Sequence, residues 1–177
     1  MKKLSITLLV VLAVLATAGV ASATPPDSKN FVSPLSGDEE VPPRDTNARG
    51  NAIFHLSDDG TQLSFKLIVA NIENVVASHI HCGAAGVSGP VGVNLFVGGL
   101  PGGGRVDGIL AEGTVTAPNP GNACGWTTLD QVADAMRSGN AYTNVHTNDG
   151  VAPTNTGPGD FPGGEIRGQI QEAGPSQ

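Results

Sequence analysis

Basic residues are scarce in this chain of 177 residues: 9 Lys and Arg stand against 16 Asp and Glu, and charged residues of either sign make up 14% of the sequence. An average soluble domain contains about 25%. Nucleic-acid-binding proteins need a basic surface to displace counterions from phosphates, and binding to an anionic membrane surface needs basic clusters. The composition therefore argues against a nucleic-acid partner and against a membrane partner.

Long hydrophobic runs are absent except at the N-terminus. The dipeptide Lys2-Lys3 precedes an uncharged, mostly aliphatic run, Leu4–Val20, which ends in the small-residue pattern Ala21-Ser22-Ala23. This order predicts a cleaved signal peptide over residues 1–23. The run of 17 residues is also at the lower limit for crossing a bilayer, so an uncleaved anchor is the alternative. We expect an exported protein that is secreted, periplasmic or held at the cell surface.

Cysteine is nearly absent, since Cys82 and Cys124 are the two in the chain. In an oxidising compartment two cysteines in one small domain usually pair. A Cys82–Cys124 bridge would close a loop of 43 residues, a constraint worth about 4 kcal/mol on chain-entropy grounds. Two free thiols or two metal ligands are the alternatives, the second because Cys82 directly follows a histidine pair.

Familiar catalytic motifs are missing as well. The sequence has no G-x-S-x-G nucleophile elbow, and its glycine-rich segments, residues 98–104 and 148–164, lack the pattern of a phosphate-binding loop. The acidic runs Asp38-Glu39-Glu40 and Asp58-Asp59 do not match an EF-hand calcium loop, and we interpret them as solvated turns. No complete catalytic set is predicted.

Alternating apolar residues predict an all-β fold. Residues 49–57 and 63–69 alternate on either side of the turn Asp58-Asp59-Gly60, which is a strong hairpin signal. Residues 31–35 are predicted as an edge strand because Pro34 interrupts them. Further strands are predicted at residues 75–82, 91–97, 109–116, 141–147 and 164–170. Many short strands between Gly- and Pro-rich turns indicate an antiparallel β-sandwich or Greek-key barrel.

One short helix is predicted at about residues 128–138. Four apolar residues recur there at helical spacing, namely Leu129, Val132, Ala133 and Met136. Thr128 and Gln131 have the spacing of a capping box, and Gly139 is a natural stop. We expect this helix to cover one end of the sandwich.

Three histidines carry the sharpest chemical signal. His79 and His81 lie two apart in a predicted strand, so both side chains share one face. His146 lies in another predicted strand, and three imidazoles would meet if the two strands are close. Imidazole ligands without a carboxylate suit copper, or less well zinc. The alternative is that these are polar residues satisfied by neighbouring hydroxyls. His55 is interpreted as a surface histidine.

Four blocks of sequence resemble the CHRD domain, the module named for its occurrence in chordin. They are Leu35–Pro43, His79–Val91 with its His-Ile-His and Gly-Pro-Val motifs, Tyr142–Thr147 and Gly164–Ile170. The resemblance implies an extracellular all-β domain over residues 31–171, with flexible tails at residues 24–30 and 172–177. The biochemical activity of that family is not well established, so the resemblance implies the fold more firmly than the function.

A second, weaker resemblance is to the copper/zinc superoxide dismutases, which are β-sandwiches with an internal disulfide. By that likeness His79, His81 and His146 would bind copper, and Arg167 would guide anions. No histidine lies between His81 and His146, so the bridging ligand and the zinc cluster of those enzymes are absent. Two hypotheses follow. The first is a non-catalytic module that binds an extracellular protein or matrix component, and the second is a copper-dependent redox protein.

Overall fold

The computed structural model describes residues 28–174. The predicted signal peptide lies outside the described residues, as do residues 24–27 and 175–177 of the two predicted tails. These described residues form eight strands, one α-helix and a single 3-10 turn at Gly37–Glu39. The strands are β1 (Asn30–Ser36), β2 (Arg49–Leu56), β3 (Leu63–Cys82), β4 (Val91–Val97), β5 (Gly103–Val115), β6 (Ala141–Thr147), β7 (Ile166–Gln169) and β8 (Gln171–Glu172), and the helix is α1 (Leu129–Arg137).

The strands close into an antiparallel barrel, which confirms the predicted fold class. The sheet runs in the order β2-β1-β7-β6-β3, and pairing of β2 with β3 closes the ring. Strands β4 and β5 both pair with β3 as additions to this ring, and β8 pairs with the start of β1. Closure removes most of the free strand edges that an open sheet exposes.

Strand β3 is longer than the sequence predicts. Residues 63–69 and 75–82, expected as two strands, form one strand of 20 residues. The chain passes through Asn71 and Asn74 with φ values of 57° and 53°, a conformation that asparagine tolerates better than most residues. Between them Ile72 stays fully buried, and the register against β5 shifts. The polar stretch is therefore a bend inside one strand and not a turn between two.

Strand β1 is not an edge strand, because it lies between β2 and β7. Pro34 has no N–H to give to a neighbouring strand. The backbone of Gly168 in β7 approaches so closely that an added Cβ would lie 2.0 Å from Pro34 O. The Ser33 hydroxyl donates to Gly168 O at 2.7 Å beside this point. The hydrogen bond of the Ser33 side chain thus links β1 to β7 next to Pro34, which has no backbone N–H to donate.

The remaining differences concern element boundaries. Strand β5 begins at Gly103, six residues before the predicted start, so it takes in the end of the first glycine-rich segment. Helix α1 has the predicted capping box, and its four predicted apolar residues are all buried. The disulfide Cys82–Cys124 is present, as predicted. Among the described residues, none of the helices has the length and apolar character needed to span a bilayer.

Candidate metal centre

The barrel brings the three predicted histidines together. Strands β3 and β6 are antiparallel neighbours, in a register that pairs Ala77 with His146, His79 with Asn144 and His81 with Tyr142. Because side chains alternate along a strand, Ile80 and Val145 enter the fully buried core while the histidines lie on the opposite face. One nitrogen from each imidazole lies within 4.8 Å of the others. No other group of three or more His, Cys, Asp or Glu side chains converges in this way within residues 28–174.

The spacing of the ring nitrogens fits a metal ion after a small adjustment. Two nitrogens bound to one ion at about 2.0–2.1 Å in tetrahedral geometry lie about 3.4 Å apart. His79 Nδ1 and His146 Nε2 are already 3.1 Å apart. The widest pair in the cluster would have to close by up to about 1.4 Å for all three nitrogens to bind one ion.

Backbone carbonyls fix which nitrogen of two histidines is free. His81 Nδ1 lies 2.9 Å from Gly89 O, and His146 Nδ1 lies 3.0 Å from Pro162 O. A carbonyl oxygen only accepts, so both Nδ1 atoms carry the proton and both Nε2 atoms present a lone pair. With the Nε2 of His146 unprotonated, the proton of the 3.1 Å contact belongs to His79 Nδ1. Binding an ion through His79 Nδ1 would therefore require that proton to move to Nε2.

Burial keeps the imidazoles in the neutral form that ligates metals. His81 is 7% exposed, and its Nε2 atom is buried without any hydrogen-bond partner. Burial, followed by the neighbouring His146 and His81, lowers the pKa of His79 to about 4. Burial is also the main cause that lowers the pKa of His81 to about 4, and it lowers the pKa of His146. At neutral pH the cluster offers uncharged nitrogens, and the His81 lone pair has no other use among the described residues.

Two side chains, Tyr142 and Arg167, stack behind His81. The ring of Tyr142 lies parallel to that of His81, with centroids 4.9 Å apart and an angle of 11°. The guanidinium of Arg167 covers the same tyrosine ring at 3.5 Å from its centroid. Arg167 is 2% exposed, and its Nη2 donates to Ala84 O at 3.0 Å. Arg167 is thus close to the histidines but lies in a closed layer behind them.

Glu40 is a buried acidic residue that the sequence pattern does not identify. Asp38 and Glu39 are exposed, as expected of a solvated turn, but Glu40 is 6% exposed, and for this residue the expectation was wrong. Its Oε2 accepts from Asn144 Nδ2 at 3.4 Å, and its Oε1 has no partner. Burial raises its pKa to about 7, against the opposing effects of Arg167 and Arg44. The spacing of the acidic run gives no signal that separates Glu40 from its neighbours.

The other residues noted in the sequence lie outside the cluster. His55 is exposed and bonds Asn30 through its Nδ1 at 2.9 Å, as a surface histidine does. Cys82 and Cys124 are bonded to each other, so neither is a metal ligand. Glu165 is fully buried and accepts from Thr46 Oγ1, Thr147 Oγ1 and Gly159 N. The bond from Gly159 ties the long segment 148–164 to Glu165, which directly precedes β7.

Comparison with known protein families gives one match. A family model described as the CHRD domain matches residues 31–170, which is most of the chain. The comparisons with curated proteins and with solved structures gave no match.

Proposed function

Because this chain belongs to the CHRD family, and because three of its histidines converge, we propose that it is an exported, non-catalytic module that binds one copper ion through His79, His81 and His146. Family membership and the disulfide are consistent with an extracellular location. Neither of them assigns the ion, so the copper proposal depends on the geometry of the side chains.

One observation carries the proposal. His81 Nε2 is a buried acceptor without a partner, and it belongs to a cluster in which one nitrogen of each imidazole lies within 4.8 Å of the others. Leaving a buried polar atom unpaired costs about 1–3 kcal/mol. Coordination by a cation is a direct way to satisfy such an atom, whereas the hydroxyls that a purely structural role would require do not reach it among the described residues.

The donor set favours copper over other ions. All three ligands are imidazoles, and no carboxylate belongs to the cluster within the described residues. Nitrogen donors of this kind bind Cu²⁺ more tightly than Zn²⁺ and the other divalent first-row ions. Magnesium and calcium, which require oxygen ligands, do not fit.

A direct test measures the metal content of the purified protein without residues 1–23. The protein is loaded with copper and zinc together, desalted and analysed by elemental mass spectrometry. We expect close to one copper per chain, and none in a variant with His79, His81 and His146 all changed to Ala. The matched control is His55→Ala, which removes an exposed histidine outside the cluster and should retain the ion.

Two results would overturn the proposal. Copper retained by the triple variant would place the ion elsewhere. An absence of copper from every sample would mean that the three histidines have a structural role. The remaining candidate function would then be the binding of an extracellular protein or matrix component.

A dismutase-like oxidoreductase is the second candidate. The observation that favours it is the partial exposure of His79, which leaves one side of the cluster open to solvent. The buried position of Arg167 speaks against it, because an anion guide has to face solvent. We expect the copper-loaded protein to consume superoxide no faster than the triple-alanine variant. A copper-dependent rate that is lost in that variant would favour the enzyme.

A further inference from the structure

Residues 83–90 form a tight connection from β3 to β4, and its last glycine approaches the site. Cys82 N donates to Pro90 O at 3.1 Å, which closes the connection at its base. A Cβ added to Gly89 would lie 1.6 Å from Cys82 O, so only glycine fits there. This close approach aims the Gly89 carbonyl back at β3, at the ring of His81.

The backbone N–H and C=O of Gly89 are held by two side chains of the site. Its carbonyl accepts from His81 Nδ1 at 2.9 Å. The Tyr142 hydroxyl accepts from Gly89 N at 3.0 Å and lies 3.3 Å from Gly89 O, in position to donate to it. Tyr142 is 2% exposed, so its ring supports both the imidazole and the peptide that orients it.

The disulfide ties this connection to a second part of the chain. Cys82 precedes the connection directly, and Cys124 belongs to the segment between β5 and α1. The Cys124 sulfur lies 3.3 Å from Pro90 O. Beside it the ring of Trp126 packs over Gly92 so closely that an added Cβ there would lie 2.2 Å away. Both ends of residues 83–90 are thus fastened to the same segment.

From these contacts we infer that the Gly89 carbonyl is the positioning group for His81, and that the disulfide and Tyr142 hold it in place, so that breaking the disulfide weakens metal binding. The inference rests on the proposed copper site. Cleavage by a dithiol breaks the S–S bond, adds two electrons and two protons to the two sulfurs, and oxidises the dithiol to its own disulfide. The freed connection no longer fixes the carbonyl, and His81 can then place its proton on Nε2, where it blocks the metal.

The expected effect is a loss of affinity with the three ligands intact. Removing groups that orient metal-bound histidines typically costs about 10–100-fold in metal affinity. We expect losses in this range for Cys82→Ala/Cys124→Ala and for Tyr142→Phe. The first variant represents the reduced state without introducing thiols that would bind copper themselves, and the second removes the hydroxyl but keeps the stacked ring.

The test has two arms, both on the purified protein without residues 1–23. Competition with a chelator gives the Cu²⁺ affinity of the wild type and of each variant. Nitrogen-15 NMR of the imidazoles in the metal-free proteins gives the tautomer of His81, which a merely structural role would leave unchanged. Leu67→Ala is the control, since it destabilises the barrel core away from the site.

The inference predicts that His81 carries its proton on Nδ1 in the wild type and in Leu67→Ala, and populates the other tautomer in the two positioning variants. Unchanged tautomer and affinity in both variants would refute it, as would an equal loss of affinity in Leu67→Ala. If the wild type binds no copper, the proposed function fails, while the tautomer arm still decides whether Gly89 orients His81. If the cysteine variant does not fold, Tyr142→Phe decides.

Discussion

Replacing Glu40 by Gln should stabilise the protein at alkaline pH, although Glu40 lies beside two arginines. Burial raises the pKa of this carboxyl from 4.5 to about 7, so the folded state holds the proton more tightly than the unfolded state. A group of this kind contributes its full stability below pH 4.5 and loses that contribution as the pH rises to 7. At 1.36 kcal/mol per pKa unit, the loss amounts to about 3 kcal/mol.

Urea unfolding of the wild type and of Glu40→Gln at pH 4, 6 and 8 measures this effect. The difference in unfolding free energy should be near zero at pH 4 and should rise to about 3 kcal/mol in favour of the variant at pH 8. Other titrating groups contribute equally to both proteins, so they cancel in the difference. The control Glu39→Gln changes an exposed neighbour and should stay within about 0.5 kcal/mol at every pH.

The opposite sign at pH 8 would refute this reasoning. If Glu40→Gln is less stable than the wild type there, attraction to Arg167 and Arg44 exceeds the cost of burial, and the carboxyl is ionised in the folded protein at neutral pH. If the difference in unfolding free energy stays constant from pH 4 to pH 8, folding does not change the pKa of Glu40.

Three further predictions concern the site and its support. Because the pKa of His81 is lowered to about 4, the stabilisation of the folded protein that is present above pH 6.5 is lost as the pH falls to about 4. NMR titration of the His81 ring protons in the metal-free protein should give a midpoint near pH 4. Glu165→Ala should cost about 3 kcal/mol in urea unfolding, because it leaves three donors without the buried carboxylate; a loss below about 1 kcal/mol would show that water replaces it. Thr128→Ala removes the side chain that caps α1 and should cost about 1 kcal/mol, with Thr116→Ala, at an exposed threonine outside the helix, as the comparison. An equal loss in both threonine variants would contradict the capping role.

Local patterns in the sequence predicted a good part of this molecule. Period-2 alternation placed His79 and His81 on one face, and the helical spacing from Leu129 to Met136 gave the helix with its cap. These features depend on neighbours within a few residues. The disulfide also followed, because two cysteines in a small domain that is expected to be exported usually pair.

Features that depend on the order of the strands could not be predicted in the same way. The meeting of His146 with the other two histidines requires that β6 pair with β3, and alternation shows which face a residue takes but not which strand lies beside it. The burial of Glu40 could not be predicted for the same reason, because it results from residues more than 100 positions away, such as Asn144. The sequence predicts two strands where β3 bends at Asn71 and Asn74, because a polar stretch inside a bent strand has the same composition as a turn between two strands.

Strand β3 also has a consequence for how the protein fluctuates. Its first half closes the barrel against β2, and its second half carries His79 and His81. Amides in such a central strand exchange with solvent only when a large cooperative unit opens. We therefore expect the slowest-exchanging amides of the barrel and the amides around the two histidines to share one opening free energy. An ion held there would then leave past the partly exposed His79 ring and not through local unfolding of the strand.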